Sequence, residues 1–154
     1  SRGVVVRVRR GIRDFLSGLR AAGHVVVSTL SWNDPELAMH ALRVLGLLDL
    51  FDHVVAENHP RKDLMMLGLL RRLEERGTVI RDDCIIYIDD RDIHVGEIRR
   101  AAGPGLVFIK APPSDEELAG RLGEALRIVE ERKNTCGQPR GAADPPGQPA
   151  RRAL

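Results

Sequence analysis

The sequence predicts an α/β fold: a mainly parallel sheet with helices on both faces. Three observations lead there. Short β-branched runs alternate with amphipathic stretches along most of the chain. Most of those runs are nearly continuous in apolar residues, the mark of strands buried on both faces. Polar residues collect just after the runs, where open parallel sheets place their ligands.

The elements follow in order. Val4 to Val8 reads as a short strand. In "GIRDFLSGLRAAG" the residues Ile12, Phe15, Leu16 and Leu19 share one helical face, and Gly23 ends the helix. "HVVVSTL" is a buried strand. "SWNDPELAMHALRVLGLLDLF" opens a helix capped by Asn33 or Asp34, with Pro35 in the first turn. "DHVVAE" is a strand, and "RKDLMMLGLLRRLEERG" is an amphipathic helix stopped by Gly77. "CIIYI" is a strand, "DIHVGEIRRAAG" a helix and "GLVFI" a strand. The last helix lies in "SDEELAGRLGEALRIVEERK", where Ser114 and Glu117 form a capping box. Right-handed crossovers would join the strands. From Asn134 the composition turns to Pro, Gly, Ala and Arg, so residues 1–133 form the expected domain and 134–154 an expected disordered tail.

Composition narrows the function classes. The chain has 154 residues, 43% hydrophobic and 30% charged, enough for one domain with a core. No apolar run approaches the roughly 20 residues of a membrane span, and "SRGVVVRVRRG" is too broken by Arg to be a signal peptide. A net charge of +2 gives no footprint for nucleic acid. Cys84 and Cys136, one in an expected core strand and one in the expected tail, make an unpromising disulfide, so Cys84 reads as an inert core thiol and the cytoplasm is the expected compartment. Because the chain starts at Ser1 rather than Met, processing or a missing beginning is expected.

Three strand ends carry chemistry. Ser31 follows Ser28 and Thr29 and precedes Asn33; Lys62 opens a helix after the second strand; Asp89 and Asp90 follow "CIIYI". A hydroxyl, an ammonium and an acid pair on one rim suit a phosphate with Mg²⁺, which prefers hard oxygen ligands and bridges to phosphate. Each residue alone also has a plain reading. Ser31 can cap a helix, Lys62 can be a solvated first-turn residue, and the acids can complement a helix dipole. Trp32 is a pocket wall or a packed ring. His59 and His94 lack ligand partners at metal spacing and are read as supporting residues. Met65 and Met66 belong to the core.

The order strand–Ser, Lys at a helix start, strand–Asp–Asp resembles the haloacid dehalogenase (HAD) superfamily. "RRGIRDFL", "LSWNDPE", "FDHVVAENHPRKDLM" and "IIYIDDRDIHVGEIRR" resemble its archaeal magnesium-dependent phosphatase branch, over about Val4 to Lys110. The resemblance implies a three-layer Rossmann-like core and a Mg²⁺-dependent phosphomonoester phosphatase working through an aspartyl-phosphate. It makes Ser31 the hydroxyl motif and Lys62 the phosphate-binding lysine, with Trp32 and Asn33 beside the substrate. Asp89 and Asp90 become the metal acids, Asp90 in direct coordination and Asp89 partly through water. A small-molecule or phosphotyrosine-like phosphomonoester would be the substrate.

One departure is large. The family's nucleophile motif, D-x-D-x-[TV], lies on a first strand in the middle of its sheet, and this sequence has no counterpart. "VVVRV" has no Asp and would bury Arg7; it resembles the second strand of the small flap that follows strand one. Either the natural protein begins earlier or the chain is a degenerate member. As given, the chain is expected to lack turnover and to be marginally stable. It is expected to close the gap locally or to exchange a strand between copies in a homo-oligomer. The competing class is a non-catalytic phosphate-binding or interaction domain derived from such a phosphatase. A receiver domain would place its acids before its Lys, and a nucleotide-binding domain would need a Gly-rich loop.

Overall fold

In the computed structural model, residues 5–136 are described. Helix α1 (Ile12–Ala22) starts after Gly11 at φ 90° and ends at Gly23 at φ 78°, left-handed positions that suit glycine. Strand β1 (Ser28–Trp32) runs parallel to β2 (His53–Glu57), from Ser28 opposite His53 to Trp32 opposite Glu57. Helix α2 (Pro35–Val44) connects them, and its cap Asp34 accepts from Leu37 N at 2.9 Å. Helix α3 (Lys62–Glu75) leads to β3 (Ile86–Asp89), and α4 (Val95–Ala102) leads on to β4 (Val107–Lys110). β3 and β4 are also parallel, Ile86 opposite Val107 and Asp89 opposite Lys110. Helix α5 (Asp115–Glu131) starts at Ser114, whose hydroxyl accepts from Glu117 N, and the four-residue helix α6 (Lys133–Cys136) follows.

Alternation along β3 decides which helices cover which face. Ile86 and Ile88 pack with Phe15, Leu16 and Leu19 of α1 and Leu118, Leu122 and Ala125 of α5. Tyr87 points the other way, to Met66 of α3 and Ile98 of α4. A third cluster joins Val55 of β2 to Met65, Leu69 and Leu73 of α3. The protein is therefore mixed α/β with short parallel sheets.

Several sequence expectations are corrected here. The single sheet is not continuous: among the described residues β1 bonds only β2, and β3 bonds only β4. A cavity of about 800 Å³ lies between the pairs, bounded by Val27–Leu30 on one side and Ile86–Ile88 on the other. Val5–Val8 form no strand, and Val5 is 80% exposed, because those valines find no ladder to join; Val4 lies outside the described residues. β1 starts at Ser28 rather than His24, since Val27 is held instead by Asp52, which accepts from its N–H at 2.8 Å.

Cys84 is not a core-strand thiol. It closes a 3₁₀ turn, Asp82–Cys84, and forms a disulfide with Cys136, with Cα atoms 5.5 Å apart. The physical reason is the length of α5: 17 residues at about 1.5 Å each carry the chain from the end of β4 back to the start of β3. Asn134–Cys136, expected in the tail, are therefore helical and tethered; the rest of the expected tail lies outside the described residues. The disulfide also removes the premise on which the cytoplasm was expected. No helix among the described residues is long and apolar enough to cross a membrane.

Candidate phosphate and metal site

The rim is set by the carboxyl ends of the strands. Lys62, the first residue of α3, reaches from the end of β2 to the end of β3, where its Nζ donates to Asp89 Oδ2 at 2.7 Å. Both side chains are largely out of solvent, at 14% and 10% exposure. The Tyr87 hydroxyl donates to the same carboxylate oxygen, and Arg91 N donates to Oδ1 at 3.3 Å. Lys62 Nζ also stands 5.9 Å from the Tyr87 ring centre. Burial alone would raise the Asp89 carboxyl, but the hydrogen bonds donated by Lys62 and Tyr87 and the Lys62 charge outweigh it and hold it well below the usual carboxylate range. Burial, then the Asp89 charge, pushes the Tyr87 phenol up, so it remains a donor.

Sequence reasoning brought Lys62 and Asp89 to one rim, and they are in contact. It did not single out Tyr87, although a residue two before Asp89 on a strand shares its face; that spacing was the available signal. Asp90 is exposed and borders a second cleft, lined by Arg9, Lys110 and Pro113 among others. Arg9 is engaged there, donating to Asp115 Oδ1 at 3.1 Å and to the Pro113 carbonyl at 3.0 Å. Ser31 is half-buried near the end of β1, opposite Ala56. Asn33 receives the chain by donating its N–H to Glu57 O at 3.0 Å, and its side chain accepts from Asp34 N. Trp32 is 60% exposed, so it is not a packed ring. These three share the carboxyl-end rim through the β1–β2 pairing. His59 lies 2.9 Å from Glu57 and His94 2.7 Å from Glu97.

Asp89 and Asp90 offer hard oxygens, the donor chemistry Mg²⁺ takes. They are two ligands, and among the described residues no group of three or more His, Cys, Asp or Glu side chains is placed around a metal. An ion held by these two acids would have to keep several waters, and Asp89 already accepts from Lys62, Tyr87 and Arg91.

The Lys62–Asp89 pair supplies a stability prediction. Lys62→Met strands a mostly buried carboxylate and should cost about 3 kcal/mol at neutral pH, because breaking a buried pair leaves one charge uncompensated. Lys62→Met with Asp89→Asn should recover most of that loss in denaturant melts. The sign with pH follows from the lowered Asp89 value. Its contribution is full above the unfolded carboxylate range and disappears only as pH falls through the folded value, so melts at pH 5 and pH 7 should show the same Lys62 effect.

Compared with family models, curated proteins and solved structures, the chain matches none.

Proposed function

We propose that the rim binds a phosphomonoester with Mg²⁺ and belongs to a phosphatase of HAD type, in which a three-layer Rossmann-like core presents the strand ends to the substrate. The observation that carries this reading is the Lys62–Asp89–Asp90 grouping at the carboxyl end of β3. A lysine held by a carboxylate is positioned and charged before substrate arrives, so binding spends little on ordering it. Its ammonium neutralises phosphoryl oxygens, and the Ser31 hydroxyl donates to another. Asp90, exposed beside the pair, is the first metal ligand, with Asp89 acting through water. Bound Mg²⁺ would add Lewis acidity and charge neutralisation at the phosphate. Arg9 and Lys110 around the Asp90 cleft favour an anionic ester, either a small molecule or a phosphotyrosine-like group.

The nucleophile required by an aspartyl-phosphate route is a further Asp. The rim acids already have other work: Asp34 caps α2, Glu57 meets His59, and Asp89 holds Lys62. That engagement favours, for the chain by itself, the second reading of a phosphate-binding domain without turnover.

Calorimetric titration with Mg²⁺ and inorganic phosphate tests the site without requiring catalysis. Asp90→Asn should weaken Mg²⁺ binding at least tenfold while leaving the melting temperature unchanged or slightly raised, since one of two repelling acids is removed. Equal Mg²⁺ affinity in the variant and the parent would end the metal assignment.

A further inference from the structure

We infer that Tyr87 is a positioning residue at the rim: its hydroxyl shares one Asp89 oxygen with the Lys62 ammonium, so the ammonium can turn to an incoming oxyanion while the carboxylate stays hydrogen-bonded. The inference rests on the proposed reading of Lys62 as the phosphate-binding group, and it requires no metal.

The strand sets the placement. Tyr87 and Asp89 are two residues apart on β3 and share one of its faces. The Tyr87 ring is buried against Met66, Ile98 and Leu106, with the Phe108 ring centre 5.7 Å away. A phenylalanine would fill that space equally, so packing does not account for the hydroxyl. The hydroxyl donates to Asp89 Oδ2, the oxygen to which Lys62 Nζ also donates, at 2.7 Å. Two donors of different kinds therefore converge on one oxygen.

That convergence decides what happens when an anion arrives. Lys62 and Asp89 alone would be a closed pair. Turning the ammonium away would strand a carboxylate that is only 10% exposed, and an uncompensated buried charge opposes such a move. With Tyr87 in place, the same oxygen keeps a charge-assisted O–H···O bond, which is among the stronger kinds. The ammonium has three N–H donors, and one of them is used on Asp89. A compact oxyanion suits this arrangement, because its several oxygens accept from more than one donor and its charge replaces that of the carboxylate. A neutral ligand offers no such replacement.

The experiment is calorimetric titration of the 154-residue chain with inorganic phosphate in metal-free buffer. Tyr87→Phe should weaken phosphate binding about tenfold, because the ammonium is then the main donor left to Asp89. Adding Asp89→Asn to Tyr87→Phe should bring the affinity back to within about threefold of the parent, since Asn accepts from Lys62 without holding it by charge. A role in packing alone predicts no such recovery. Tyr87 is the chain's single tyrosine, so uniform labelling with 3-fluorotyrosine gives one fluorine signal in the otherwise unaltered protein. That signal should move as phosphate saturates the chain, a measurement independent of how well Tyr87→Phe folds. Equal phosphate affinity in Tyr87→Phe and the parent overturns the inference and leaves the phosphate-binding reading standing. Failure of the double variant to recover, or an unmoved fluorine signal at saturation, overturns it in the same way. No phosphate binding by the parent defeats the reading and the inference together.

Discussion

The chain assayed alone with a generic aryl phosphate and Mg²⁺ should show no turnover above background, and an N-terminal extension carrying D-x-D-x-[TV] on an apolar strand should bring turnover. On the proposed reading the increase is on the order of 10³-fold or more, because binding groups without the nucleophile retain only residual rates. Position explains the size of the effect. An apolar strand filling the cavity between β1 and β3 would end at the rim, beside Lys62 and Asp89. Its acid would then face a phosphate held by groups already in place. The control is the same extension with the first Asp changed to Asn. It should fold as well and remain silent, separating filled core from supplied chemistry. Robust Mg²⁺-dependent turnover by the unextended chain, abolished by changing one of its own acids, would defeat the claim that its nucleophile is missing.

Much of this arrangement was legible in the sequence, for reasons specific to particular residues. Helical periodicity placed Phe15, Leu16 and Leu19 correctly, and local cap chemistry narrowed one cap to Asn33 or Asp34, of which Asp34 serves, and identified Ser114. Lys62 and Asp89, separated by 27 positions, could be brought together because strand ends in parallel sheets share a rim. Val4 to Val8 misled because β-propensity describes how a residue suits a sheet that must already exist. Tyr87 was hidden by its composition, an aromatic in an apolar run whose hydroxyl, not its ring, bears on the site. The disulfide was hidden because its partners lie 52 positions apart, and only the return path of α5 brings them together.

Loss of that disulfide should be the largest covalent effect on stability. In the chain-entropy account, closing a loop of 52 residues removes about 4 kcal/mol of freedom from the unfolded chain. Native-state strain and residual unfolded structure usually reduce the yield, so the Cys84→Ser/Cys136→Ser double variant should lose about 2–4 kcal/mol. The location adds a local consequence. Cys84 and Cys136 border the cavity together with Thr135 and Arg132, and the Arg132 guanidinium donates to the Asp83 carbonyl beside the bridge. Without the covalent link, the four-residue α6 retains too little structure to persist alone. The start of β3 would then lose part of its support while β1–β2 keeps its own ladder. Chemical denaturation of the oxidised chain, the reduced chain and the double Ser variant should place the last two together and well below the first. Exchange of Cys84–Ile86 amides should quicken more than that of Val54–Ala56. If reductant left the denaturation midpoint where it was, the bridge between Cys84 and Cys136 would be contributing nothing to the fold.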